Sequence, residues 1–122
     1  MNTLEQADEL KRRTKEFAIR IVNLFRSLPH LPDAQTLGKQ VLRSGTSVAA
    51  NYRAVCRARS RAEFIAKMGI VVEEADETVF WLELLGETGI VRAERTQDLL
   101  KEANELVAIF GASLRTSKRG SQ

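Results

Sequence analysis

The sequence predicts an all-α protein, an antiparallel up-down-up-down four-helix bundle, from three observations. Four segments repeat apolar residues at alternating spacings of three and four. Short turn signals separate them, and helices joined that tightly pack antiparallel. No segment alternates apolar and polar residues as a half-buried strand would.

The first helix is expected over about residues 4–28. Leu10, Thr14, Phe17, Ile21, Leu24 and Leu28 make one stripe, widened by Ala18, Val22 and Phe25. Thr3 with Gln6 offers a capping box at its start. Pro29 and Pro32 flank His30 and Leu31, and a proline inside a helix loses a hydrogen bond, so this stretch reads as a turn. Asp33 is the expected N-cap of the second helix, over about 34–58. That helix carries Leu37, Val41, Val48 and Val55 among the small residues Gly38, Ser44, Gly45, Ser47, Ala49, Ala50 and Ala54, which let a neighbouring helix approach closely.

Ser60 followed by Glu63 is a second capping box, worth about 1 kcal/mol, and opens the third helix over about 61–88. Phe64, Met68, Val71, Ala75, Thr78, Leu82 and Leu85 hold heptad spacing, the seam of small-angle helix packing, with Ile65, Val72 and Val79 beside it. Gly89 supplies the stop, with Ile90 as its apolar follower. Leu99, Ala103, Leu106, Phe110 and Leu114 define the fourth helix, about 93–115, whose start near Arg92 is poorly marked. The bundle therefore spans residues 1–116, and residues 117–122 read as a flexible basic tail.

At 122 residues the chain is one domain that can bury a core without disulfides or metal. The lone Cys56 cannot form an internal bridge and suits a reducing, cytoplasmic location. The first residues lack a basic region followed by an apolar stretch, and no run approaches ~18 apolar residues, so neither a signal peptide nor a membrane span is expected. Charge is uneven: residues 1–61 carry 12 Lys/Arg against 5 Asp/Glu, a net +7, and residues 62–122 carry 7 against 11, a net −4. Such a division serves attraction within the chain, subunit assembly or recruitment of a polyanion.

The stretch from Gln40 through Arg43-Ser44, Ser47-Val48-Ala49-Ala50-Asn51, Arg57, Ser60 and Glu63-Phe64, with Glu73-Glu74-Ala75-Asp76-Glu77-Thr78 and Trp81-Leu82-Glu83-Leu84-Leu85, resembles the bundle proteins of the 23S rRNA intervening-sequence family, also called S23 ribosomal protein-like. The resemblance implies a small bacterial four-helix bundle that assembles as a ring-shaped homopentamer. It also implies kinship with accessory variability proteins of retroelements, which bind nucleic acid and a reverse transcriptase. No catalytic residue or cofactor comes with it. Tyr52-Arg53-Ala54-Val55-Cys56-Arg57 departs from many members, which read a shorter, glycine-containing end.

Within this frame the best functional candidate is a basic corner. Arg53, Arg57 and Arg61 are four apart and share a face if the second helix continues, with Arg59 on the other side. Arg43, and Lys11, Arg12, Arg13 and Lys15 on the first helix, extend the cluster. Arginine presents a planar fork to phosphate, and the scarcity of aromatics near the cluster argues for backbone rather than base recognition. Trp81, beside Leu84, reads either as a peripheral core residue or, with Leu84, as part of an oligomer interface, where tryptophan is enriched.

The alternatives are plainer. His30 lies in the proline turn without the arginine spacing of RNA-cleaving HEPN-type bundles, so no catalytic residue is expected. Cys56 and His30 are single, so no metal site is expected either. Glu73, Glu74, Asp76 and Glu77 read as a solvated or basic-paired face, and Ser47 with Asn51 as a helix-contact pair. The expected function is a non-enzymatic, homo-oligomeric accessory protein that binds RNA or DNA, the alternative a protein-interaction scaffold.

Overall fold

The computed structural model describes residues 3–120, and within them four helices and no strand. They are α1 (Leu4–Arg26), α2 (Pro32–Cys56), α3 (Arg61–Glu87) and α4 (Ala93–Arg119). Each packs on its chain neighbours, while α1 and α4 touch far less.

The capping box of α1 is formed: the Thr3 hydroxyl accepts from the Gln6 N–H at 3.1 Å, and the Gln6 side chain accepts from the Thr3 N–H at 2.8 Å. The helix ends at Arg26, two residues before the expected Leu28, where the Ser27 hydroxyl donates to the Leu24 carbonyl. Leu28 stays buried from outside the helix. The start of α2 corrects a second expectation. Leu31 is the N-cap and Pro32 the first helical residue, where its fixed φ suits the helix and its missing N–H has no intrahelical partner to lose. Asp33 lies inside the first turn, where its charge complements the helix dipole.

Small residues set the spacing of the helices. A Cβ on Gly45 would come within 2.9 Å of Ile21, and one on Gly38 within 3.0 Å of Phe25, so α1 rests directly on the α2 backbone. Between α2 and α3 the hydroxyls of Ser44 and Thr78 lie 2.9 Å apart, both side chains fully buried. The expected Ser47–Asn51 contact is different. Asn51 donates to the Ser47 backbone carbonyl at 2.9 Å, a bond within α2 rather than between side chains.

Nearly all of the α3 seam is interior: Met68, Val71, Ala75, Thr78, Leu82 and Leu85 are buried, and Phe64 is half-buried. After Glu87 the chain turns through Gly89 at φ +76, a left-handed conformation that glycine tolerates. The Val91 N–H bonds the Leu85 carbonyl at 3.1 Å, and Val91, more than Ile90, is the buried follower. Helix α4 continues to Arg119, past the tail expected from Ser117. Lys118 and Arg119 in the last turn oppose the partial negative charge there, and the Arg61 guanidinium donates to the Gly120 carbonyl at 2.5 Å. Ser121 and Gln122, the end of the expected tail, lie outside the described residues. Among the described residues no helix is long and apolar enough to cross a membrane.

Candidate nucleic-acid interface

The basic corner is rearranged by one break in the chain. Helix α2 stops at Cys56, so Arg57 is its C-cap, Arg59 lies in the connection, and Arg61 opens α3. The Arg57 and Ala58 N–H groups close on the Ala54 and Val55 carbonyls, and the Ser60 hydroxyl accepts from the Glu63 N–H at 3.1 Å to restart the helix. The expected stack of Arg53, Arg57 and Arg61 therefore does not form. Arg61 turns to the C-terminal end of α4 and lines a separate cleft with Tyr52, Phe64, Ser113 and Thr116.

Arg53 and Arg57 instead form a ridge between two grooves. One, about 590 Å³, lies between α1 and α2: Lys11, Arg12 and Lys15 face Arg53 and Arg57 across a floor of Thr46, Ala49 and Ala50. The small floor residues hold the groove open, since larger side chains would fill it. The second, about 530 Å³, lies between α2 and α3 and is lined by Arg53, Arg57, Arg59, Lys67 and Glu63 with Ala50 and Ala54. Neither lining contains an aromatic residue. Lys67 escapes sequence reasoning because it sits within an apolar seam. Its signal is its place one turn after Glu63, beside the α2–α3 connection.

Charge partners sort these cations. Arg43 is drawn out of the cluster by Glu74, at 3.2 Å, and by Glu77, so the two half-buried carboxylates of the acidic stretch have a cationic partner. Arg13 turns to α4, bonding Glu102 at 2.6 and 3.0 Å and Glu105 at 3.2 Å, and ties α1 to a helix it packs against far less than α2. The Glu102 hydrogen bond raises the Arg13 pKa despite partial burial. Arg12 is clamped between Glu9 and Glu16, and its hydrogen bond holds the Glu9 carboxyl below the ordinary carboxylate range. Lys11 pairs with Asp8 at 3.3 Å, and Lys67 with Glu63 at 2.9 Å. Among the described residues no ion pair engages Lys15, Arg53, Arg57 or Arg59.

On the outer side of α3, Trp81 and Leu84 are half-buried. The Trp81 indole donates to Glu77 at 2.9 Å and meets Phe80 edge-on, with ring centroids 4.9 Å apart. Phe80 is 52% and Ile70 44% exposed, two apolar residues that the heptad seam does not explain. His30 and Cys56 are exposed, and among the described residues no group of histidine, cysteine and carboxylates could hold a metal ion.

A sequence profile described as 23S rRNA-intervening sequence protein matches residues 7–112, nearly the whole chain. The chain belongs to the 23S rRNA-intervening sequence protein family. It is similar to the crystal structure of a protein of unknown function from the S23 ribosomal protein family of Bacteroides thetaiotaomicron. The two share 39% identity over 85% of this chain and 96% of that one, with a TM-score of 0.80. No curated protein matches. Both grooves of this 23S rRNA-intervening sequence protein lie within the matched span.

Proposed function

We propose that this chain is a non-enzymatic, homo-oligomeric accessory protein of the cytoplasm that binds RNA through its phosphates. One observation carries the reading: Lys15, Arg53, Arg57 and Arg59 line two adjoining grooves and have no acidic partner within the described residues. Cations that bind phosphate release counterions from the polyanion, and those already paired at the surface gain less. The small, non-aromatic floor suits a backbone rather than stacked bases. The test is binding of RNA across a salt series, with Arg53→Glu/Arg57→Glu as the variant that fails to bind.

The antiparallel, up-down-up-down order belongs to the same proposal. Its support is the register of the contacts, with Gly38 against Leu28 and Gly45 against Ile21, Arg61 against Gly120, and Gly86 against Thr96. The oligomer, a pentamer by family resemblance, would use the α3 face of Trp81 and Leu84, with Phe80 and Ile70 exposed beside it. The second reading is a scaffold whose basic half docks against the acidic half of another subunit or of a separate protein, such as a reverse transcriptase, rather than nucleic acid. Sedimentation of the Arg53→Glu/Arg57→Glu variant separates them: intact assembly without RNA binding favours the first, loss of assembly the second.

A further inference from the structure

We infer that the nucleic acid is double-helical RNA, seated with one backbone in each groove and the Arg53–Arg57 ridge between them. This rests on the phosphate-binding reading above and adds the form of the ligand.

Three rows of cations line the two grooves: Lys11 and Lys15 on α1, Arg53 and Arg57 at the end of α2, and Arg59 in the connection with Lys67 on α3. A single strand needs one groove and two rows. A second strand running beside the first would engage the third row. Packed helices sit roughly 8–10 Å apart, so the two grooves are separated by about that distance. The minor groove of B-form DNA is about 6 Å wide, whereas that of A-form RNA is wide and shallow, so of the two minor grooves only that of RNA takes both rows. Proteins that hold single strands without regard to sequence place aromatic rings under the bases, and neither groove has one. Duplex RNA is recognised instead by shape and by phosphate contacts across its minor groove.

One residue opposes this use of the second groove. Glu63 lines it and pairs with Lys67 at 2.9 Å, so it weakens the α3 row and leaves the α1 row untouched. The two grooves can therefore be tested separately.

The experiment measures fluorescence-anisotropy binding of the full chain to an RNA duplex of about 20 base pairs, to one of its strands alone, and to the DNA duplex of the same sequence. Arg59→Gln/Lys67→Gln is expected to lower affinity for the RNA duplex about tenfold and leave the single strand within about twofold. Glu63→Gln, which keeps the backbone cap to Ser60, is expected to strengthen duplex binding alone. Lys15→Gln is expected to weaken both RNA ligands, and circular dichroism checks that each variant stays helical. Equal losses for duplex and strand in Arg59→Gln/Lys67→Gln, a single strand bound more tightly than the duplex, or a DNA duplex bound as tightly as RNA would overturn the inference while leaving phosphate binding intact. Failure of the unaltered protein to bind any of the three would overturn both.

Discussion

Ser44 and Thr78 meet hydroxyl to hydroxyl at 2.9 Å in the interior between α2 and α3. Each hydroxyl also reaches a carbonyl of its own helix, Gln40 at 3.0 Å for Ser44 and Glu74 at 2.7 Å for Thr78. With one proton apiece, one hydroxyl caps its carbonyl and the other spans the helices. Thr78→Val should cost about 1 kcal/mol, because it removes one bond and leaves Ser44 its carbonyl. Ser44→Ala/Thr78→Val, which removes both polar partners, should cost less than the sum of the single changes. Urea unfolding of the four proteins in the cycle checks this, and strict additivity would contradict the pairing.

Glycines 45 and 69 should respond in opposite directions to alanine. At Gly45 a Cβ meets the fully buried Ile21 at 2.9 Å, so Gly45→Ala should destabilise by about 1–2 kcal/mol, overpacking exceeding the gain in helix propensity. At Gly69 nothing lies within 4 Å of an added Cβ, and Gly69→Ala should stabilise by about 0.5–1 kcal/mol. Thermal unfolding of the two variants reads both signs at once.

Acid should weaken the fold in part through Glu9 and Glu63. The hydrogen bonds from Arg12 and Lys67 hold their pKa values below the ordinary 4.5. A depressed folded pKa gives stability that is present above the unfolded value and lost as pH falls through the folded one. Stability measured by urea unfolding should therefore hold from neutral pH down to about 5 as far as these groups are concerned, then fall. Glu9→Gln/Glu63→Gln should fall less steeply on that acid limb, and with Glu9 exposed and Glu63 partly so, added salt should narrow the difference. Parallel acid limbs would contradict the assignment.

Assembly should depend on the outer face of α3. Trp81→Ala/Leu84→Ala should lower the sedimenting mass, and Phe80→Lys should do the same by placing a charge on an exposed ring position. Arg43→Gln should lower it indirectly, since Arg43 bonds Glu77, which in turn receives the Trp81 indole N–H. Unchanged mass in all three variants would remove the α3 face from the interface.

The helices were legible because their stripes are long and regular and their turns are marked by Thr3, Ser60 and Gly89: the Thr3 box forms in full, the Ser60 box in its hydroxyl half with the Glu63 carboxylate turned to Lys67, and Gly89 takes the left-handed turn. What the sequence hid was local competition. Pro32 looks like a helix breaker, yet the first helical position has no hydrogen bond to lose. The regular spacing of Arg53, Arg57 and Arg61 suggests one face, yet the cap at Ser60 breaks the helix between them. Arg43 and Arg13 looked like members of the basic corner. Carboxylates thirty or more positions away in sequence claim both, and no local pattern reports such a pairing. Lys67 joined the site for the converse reason, through helix adjacency alone.

The most direct test of the central claim is the salt dependence of RNA binding by the unaltered chain and by Arg53→Glu/Arg57→Glu. With Lys15, Arg53, Arg57 and Arg59 engaging phosphates, the logarithm of affinity should fall against the logarithm of salt with a slope of roughly −3 to −4, and the variant should lose binding while keeping its helices. A slope near zero, or a variant that binds as well as the parent, would contradict it.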